Sequence, residues 1–202
     1  MPGISALYLI NQQLSLIAGV HRGFSPAGPG SAGLDAEESI NYEFGARYEQ
    51  DNVLAEVIGF YSDYGNLLGR CRVSDSGCQP GEEFSGGEVD IWGVELSGEY
   101  TFGLGKGFDV QIRGAYTYTQ SEFQSDFFSS FSQFGIVQAG DELPYLPEHL
   151  ASASVALTKR NWQVSAGLKY QSQMREEPSQ AAIADGIHAD DYAIADASAS
   201  WF

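Results

Sequence analysis

Histidine is the side chain best suited to general acid–base catalysis near neutral pH, and the chain has three, His21, His149 and His188. None of them stands in a recognisable arrangement with a nucleophilic serine or cysteine, and GxSxG, HExxH and P-loop motifs are absent. The stretch GLGKG at 103–107 is rich in glycine, but it links two predicted strands and opens no helix, so we interpret it as a hairpin turn. The sequence therefore predicts no enzyme, no catalytic residues and no cofactor.

The two cysteines, Cys71 and Cys78, are separated by six residues in the stretch CRVSDSGC. This spacing permits a small loop disulfide if the protein is located in an oxidising compartment. The alternative is two unpaired thiols. A zinc site is disfavoured because no CxxC pair and no second pair of ligands is present.

A second group of possible ligands lies near the C-terminus, where Asp185, His188, Asp190 and Asp191 are close in sequence. These residue types could bind a metal ion. We favour the alternative of a solvated acidic loop, and we therefore predict no metal site.

The charge of the chain is strongly acidic, with 27 Asp and Glu against 10 Lys and Arg and a formal net charge of −17. Nucleic acid is excluded as a partner, because a phosphate-binding face needs clustered basic residues. Many carboxylates fall in predicted loops. Arg70, Arg72 and Arg175 are loop or loop-edge cations that could bind an anionic ligand, since guanidinium matches carboxylate bidentately. The alternative is surface arginine with no role in binding.

The elements that would position these residues show a period of two. In 108–119, Phe108, Val110, Ile112, Tyr116 and Tyr118 alternate with polar residues, which is the pattern of a two-faced strand. The same alternation recurs along the chain and predicts nine strands. They span 4–10, 14–24, 38–49, 53–64, 88–103, 108–122, 148–158, 162–175 and 191–202.

The predicted connections alternate between short and long. The short ones are 11–13, 50–52, 104–107 and 159–161, and the long ones are 25–37, 65–87, 123–147 and 176–190. Outer-membrane barrels have tight periplasmic turns and large extracellular loops. We therefore predict an all-β, antiparallel up-and-down meander that forms part of a transmembrane β-barrel, with Trp162 and Leu168 facing lipid and Gln163 and Lys169 facing a hydrated lumen.

Four stretches resemble the TonB-dependent outer-membrane receptor family, within it the ferric-citrate or siderophore type, and specifically the C-terminal part of its barrel. They are VHRGFSPAGPG (20–30), EESINYEFGARYE (37–49), GGEVDIWGVELSGEYTF (86–102) and ELPYLPEHLASASVAL (142–157). Proteins of this family have a signal peptide, a globular plug and a 22-stranded barrel. The resemblance implies that residues 1–202 supply about nine strands of such a barrel. We expect the plug domain and the signal peptide to be absent from this chain.

The resemblance also implies a function and a location. We expect a fragment of a receptor and transporter in the outer membrane of a Gram-negative bacterium, taking up ferric citrate or another siderophore. Its partners would be the iron chelate, the lipid and lipopolysaccharide of the membrane, and the TonB system acting through the plug. The alternatives are another outer-membrane barrel, such as a porin or an adhesin, or a secreted all-β carbohydrate-binding module.

Overall fold

The structure is a computed structural model that describes residues 2–28, 33–71, 79–129, 134–183 and 185–202. Its regular elements are fifteen β-strands. They are β1 (Gly3–Leu9), β2 (Leu14–Ser25), β3 (Glu37–Gln50), β4 (Val53–Tyr64), β5 (Leu68–Arg70), β6 (Glu83–Ser85), β7 (Val89–Gly105), β8 (Phe108–Phe123), β9 (Phe127–Phe128), β10 (Ile136–Val137), β11 (His149–Lys159), β12 (Trp162–Gln171), β13 (Met174–Arg175), β14 (His188–Ala189) and β15 (Tyr192–Trp201). None of the described residues forms a helix long and apolar enough to cross a membrane.

The nine long strands form one antiparallel sheet in the order β1-β2-β3-β4-β7-β8-β11-β12-β15. Each long strand pairs with the next long strand of the sequence, so the sheet is an up-and-down meander without Greek-key crossings. The predicted fold class is confirmed. Four tight turns lie along one rim of the sheet and the four long connections lie along the other; we call these the turn rim and the loop rim.

The structure corrects the predicted strand 162–175. The long strand β12 ends at Gln171, and Met174 and Arg175 form the separate strand β13, which pairs with β14 inside the following loop. Ser172 makes the last contacts with β11, because its N–H donates to the carbonyl oxygen of His149 at 2.9 Å. In return the N–H of His149 donates to the Ser172 hydroxyl at 3.0 Å instead of to a backbone carbonyl, which ends the regular ladder. The chain leaves the sheet at this point.

One face of the sheet is polar. Its side chains interact across neighbouring strands: Arg47 bonds Glu56 at 2.6 Å, Arg113 bonds Glu99 at 2.8 Å, and the Ser165 and Ser198 hydroxyls lie 2.8 Å apart. A depression of the sheet is lined by many residues of this face, including Glu99, Arg113 and Lys169. We call it the polar, concave face.

The opposite face exposes large hydrophobic side chains in a broad band across the strands. Phe44 is 64% exposed and Leu168 is 50% exposed. Further exposed members of this band are Val20, Ile40, Val57, Val94, Leu96, Ile112, Val155 and Val164. We call this the apolar face. A sheet packed on a protein core would bury such residues, so the exposed band is the pattern expected of a surface that meets an apolar solvent.

Aromatic residues border this band at a repeated spacing. Phe108 and Trp162 both pair with Lys159, and Tyr116 and Tyr170 both pair with Ala151, so the members of each pair lie at one level of the sheet. The two levels are eight positions apart on β8 and on β12. Eight residues extend roughly 27 Å along a strand, and a strand tilted by about 40° spans roughly 20 Å of that length across a bilayer. The aromatic residues therefore mark two girdles at a separation that suits a membrane.

Strand β4 has apolar residues on both faces, and two glycines explain why. Ile58 and Phe60 lie on the polar face, where each is paired directly with a glycine of the neighbouring strand, Gly45 and Gly93. A Cβ atom at Gly93 would lie 2.8 Å from Phe60 Cζ and 1.9 Å from the carbonyl oxygen of Tyr118. The absence of a side chain therefore lets the ring of Phe60 lie against the sheet.

Candidate functional site

The four long connections at the loop rim are the candidate functional site. We define them as L1 (26–36), L2 (65–88), L3 (124–148) and L4 (172–191), following β2, β4, β8 and β12 respectively. Three contain a short hairpin: β5 pairs with β6 in L2, β9 with β10 in L3, and β13 with β14 in L4. These hairpins give the long loops a defined backbone conformation.

Polar contacts join L1 to L2. The backbone N–H of Gly28 donates to Glu83 Oε2 at 2.5 Å, and Asn66 Nδ2 donates to the carbonyl oxygen of Asp35 at 2.9 Å. At the base of L2, the backbone N–H of Leu68 donates to the carboxylate of Glu37 at 3.0 Å. The hairpin of L2 is thereby held against L1.

Hydrophobic packing joins L2 to L3. Val89, Phe123 and Val137 are almost completely buried, and they form the core cluster of the described residues. Partly buried residues of both loops and of the strand ends surround this cluster. They are Tyr64, Leu67, Ile91, Phe127, Phe134 and Leu143. The rings of Phe84 in L2 and Phe134 in L3 meet edge to face at 5.0 Å. This core therefore lies where the loops meet the ends of β7 and β8 at the loop rim.

A buried arginine joins L3 to L4. Arg175 is 8% exposed, and its Nε and Nη2 atoms donate to Glu142 Oε2 at 3.0 and 2.7 Å. The same guanidinium reaches the carbonyl oxygen of Ala181 at 3.3 Å. The backbone follows the same connection, since Tyr145 N–H donates to Arg175 O at 2.9 Å. All four loops are thus linked in one layer.

Several carboxylates of the loops bind loop backbone. Asp126 and Asp141 accept hydrogen bonds from the N–H groups of Ala139 and Gln138 at 2.7 and 2.8 Å, and Glu82 accepts one from Gln79 at 3.0 Å. Ionised carboxylates form stronger hydrogen bonds than neutral acceptors do. Part of the acidity of the loops therefore stabilises their conformation.

The three predicted ligand-binding arginines have different positions. Arg70 lies in β5, where its backbone pairs with Glu83. Arg72 lies outside the described residues. Arg175 is directed at Glu142 and is buried between two loops, so its contacts in this structure are internal. Arg70 and Arg175 lie in different loops, and a role of the three arginines in ligand binding stays a prediction.

The predicted disulfide is only partly within the described residues. Cys71 is 3% exposed and disulfide-bonded. Its backbone closes the base of the L2 tip, because its N–H donates to Glu82 O at 2.8 Å and its carbonyl accepts from Gly81 N–H at 2.8 Å. Cys78 lies outside the described residues, so its pairing with Cys71 stays a prediction.

In the C-terminal acidic stretch, His188 Nε2 lies 3.1 Å from Asp190 Oδ1. Across the described ranges, no group of three or more His, Cys, Asp or Glu is placed to hold a metal ion. Sequence reasoning missed the contacts between loops, because the partners are distant in sequence: 55 positions separate Gly28 from Glu83, and 33 separate Glu142 from Arg175.

Comparison with known proteins shows which family has this architecture. The family model described as "TonB dependent receptor-like, beta-barrel" matches residues 1–202. The pesticin receptor of Yersinia enterocolitica is 28% identical over 166 residues, and the pesticin receptor of Yersinia pestis is 29% identical over 163. Each match covers 75% of this chain and 21% of the relative. The chain therefore spans about a fifth of the length of these relatives.

Solved structures agree on the fold. The ferric yersiniabactin uptake receptor FyuA from Yersinia pestis superimposes with a TM-score of 0.64 at 24% identity, covering 98% of this chain and 29% of that one. The ferric citrate transporter FecA in its unliganded form gives a TM-score of 0.68 at 17% identity, covering 99% and 30%. In both cases the nine-stranded sheet corresponds to a portion of a larger barrel.

Proposed function

Because this chain belongs to the TonB-dependent receptor β-barrel family, we propose that it forms part of the barrel wall and ligand-capturing loops of an outer-membrane receptor for a ferric chelate. Proteins of the family are receptors and transporters, so the chain is not part of an enzyme. The family excludes the porin, the adhesin and the carbohydrate-binding module that the sequence alone left open.

The observation that carries the proposal is the linked layer formed by L1, L2, L3 and L4 above the strand ends. A receptor needs loops that keep a defined shape where the ligand arrives, and that can still close over it. The contacts Glu83–Gly28, Phe84–Phe134 and Arg175–Glu142 hold neighbouring loops together in sequence around the rim. A ligand that binds one loop would therefore affect the conformation of all four loops.

The two faces of the sheet support a location of this chain in an outer membrane. The apolar face would contact the hydrocarbon of the outer membrane of a Gram-negative bacterium, and the polar, concave face would line the lumen. The turn rim would lie at the periplasm. The loop rim would face outward at the level of lipopolysaccharide, whose divalent ions would neutralise its carboxylates.

The relatives support a proposal for the chemical class of the chelate. The pesticin receptors and FyuA are the relatives with the higher sequence identity, and FecA is the structural neighbour with a high TM-score. A ferric siderophore of the kind that FyuA takes up is therefore the first candidate, and ferric citrate is the second. Arg70 and Arg72 in L2 are the basic groups that would offset its negative charge.

Energy for uptake would come from the TonB system through a plug domain within the complete barrel. The side chains facing such a plug from this chain would be those of the polar, concave face, including Glu43, Glu95 and Lys169.

A binding experiment with the full-length protein tests the proposal. Tryptophan fluorescence is titrated with ferric yersiniabactin, ferric citrate and ferric enterobactin, each compared with its iron-free form. We expect saturable quenching by at least one ferric complex, and growth on that complex as sole iron source should require both this protein and TonB. Growth that persists without TonB, or equal binding of the iron-free chelators, would contradict the proposal.

A further inference from the structure

The turn rim carries a cluster of basic residues in a chain that is otherwise strongly acidic. Lys106 lies in the turn between β7 and β8, while Lys159 and Arg160 lie at the turn between β11 and β12. Strands β8 and β11 are direct neighbours in the sheet. The two turns are therefore separated by two strand spacings, roughly 10 Å. We call these three residues the basic corner.

Lys159 lies on the apolar face. Its Nζ atom is 4.1 Å from the centroid of the Phe108 ring, and that ring meets Trp162 edge to face at 5.9 Å. Trp162 is in turn paired with Trp201 on the next strand. The ammonium group is thus located within the aromatic girdle, where long basic side chains extend toward a membrane interface.

The charge of the basic corner is not neutralised by the protein. In the part of the chain that the structure describes, the arginines in ion pairs are Arg22, Arg47, Arg113 and Arg175, and no ion pair involves the basic corner. Lys106 and Arg160 are exposed. The neighbouring carboxylate in the register, Asp109, pairs with Gly103 and Thr158 and so points to the polar, concave face.

We propose that Lys106, Lys159 and Arg160 form a binding site for the phosphate headgroup of an anionic phospholipid in the leaflet that meets the turn rim. Three cations that form no ion pair among the described residues, next to aromatic rings at the edge of an exposed apolar band, match a lipid that presents a negative headgroup above acyl chains. A soluble anion would use the charges but not the apolar face. This inference rests on the membrane location proposed above, and it is independent of the identity of the chelate.

Native mass spectrometry of the full-length protein in non-ionic detergent tests the site, with phosphatidylglycerol and phosphatidylcholine as probes. Each basic residue near an anionic surface contributes about fivefold in affinity. Changing all three, Lys106→Gln, Lys159→Gln and Arg160→Gln, should therefore weaken phosphatidylglycerol binding by at least tenfold while phosphatidylcholine binding is unchanged. Lys169→Gln removes one positive charge from the polar, concave face and is the control for the single change Lys159→Gln, which should weaken phosphatidylglycerol binding about fivefold. The Lys169→Gln variant should bind phosphatidylglycerol like the parent.

The site would be disproved by equal phosphatidylglycerol binding in the triple variant and the parent, or by an equal loss in Lys169→Gln. Displacement of the lipid by millimolar inorganic phosphate would show that the basic corner binds soluble anions. That result would also overturn the proposed lipid site. Heat-modifiable migration in gel electrophoresis shows separately whether each variant is a folded barrel. If the parent protein shows no heat-modifiable migration, the proposed barrel is contradicted. If the parent is folded but does not prefer phosphatidylglycerol, only the lipid site is contradicted.

Discussion

At the scale of single residues, charged groups have different roles depending on burial. Arg22 and Glu38 form an ion pair of 2.7 Å with both side chains about half exposed, and Arg175 and Glu142 form one of the same length with the arginine side chain only 9% exposed. Exposed pairs contribute little because water screens them. The buried guanidinium also bonds a backbone carbonyl, so its removal leaves several groups without partners.

Arg175→Met should loosen L3 from L4, whereas Arg22→Met should have a small effect. Loss of charge-assisted hydrogen bonds at a half-exposed partner costs about 1–2 kcal/mol locally, which corresponds to roughly tenfold faster amide exchange. Hydrogen exchange of the segment 138–148, which contains the N–H groups of Glu142 and Tyr145, measures this. Equal exchange of this segment in the two variants would show that the ion pair does not connect the loops.

Cys71 and Cys78 should form a disulfide that closes the tip of L2. So short a loop contributes about 2–3 kcal/mol by the chain-entropy model. Protein isolated from the cell envelope should therefore show no alkylation of either cysteine until it is reduced, as measured by mass spectrometry. Two alkylated thiols without reduction would leave the unpaired alternative.

At the scale of elements, the alternation of polar and apolar residues predicted the nine long strands and their order. The alternation predicts these strands because each has one hydrated and one apolar face. A shift of one residue in the register would exchange the two faces. β4 shows a weaker alternation because Ile58 and Phe60 lie on the polar face, a placement that depends on glycines of other strands. The short hairpins in L2, L3 and L4 escaped prediction because strands of two or three residues carry no measurable period.

Gly93→Ala should destabilise the sheet, and Gly98→Ala on the same strand is the control. A Cβ at Gly93 would lie 1.9 Å from the Tyr118 carbonyl oxygen, while at Gly98 the nearest atom is 3.5 Å away. Overpacking of this kind costs about 1–3 kcal/mol. A urea titration of the folded barrel should show a lower midpoint for Gly93→Ala alone. Equal midpoints would mean that the backbone relaxes freely around Gly93.

At the scale of the whole molecule, the hydrophobic residues are distributed in an unusual way. Few of them are buried in the sheet, the cluster around Phe123 lies where the loops meet the ends of β7 and β8, and the apolar face is exposed. A soluble domain would not remain monodisperse with such a face. A membrane accounts for the open face, for the two aromatic girdles and for the polar side chains opposite.

Leu168→Arg should therefore impair assembly of the full-length protein in the membrane far more than Lys169→Ala. The two residues are adjacent on β12 and face opposite sides. An arginine in the lipid at mid-depth costs about 2–4 kcal/mol, whereas loss of the lysine affects only the hydrated side. The amount of folded protein in outer-membrane fractions measures the difference, and equal amounts would contradict the assigned faces.

The most direct test of the membrane-wall account is a spin-label scan along β12 in liposomes. Both native cysteines are replaced by serine, and single cysteines are placed at positions 163–170 of the full-length protein. We predict high collision rates with oxygen, which partitions into lipid, at 164, 166, 168 and 170. A water-soluble nickel complex should instead collide with labels at 163, 165 and 169. A scan without a period of two, or one in which the label at 169 is exposed to lipid and the label at 168 to water, would contradict the account.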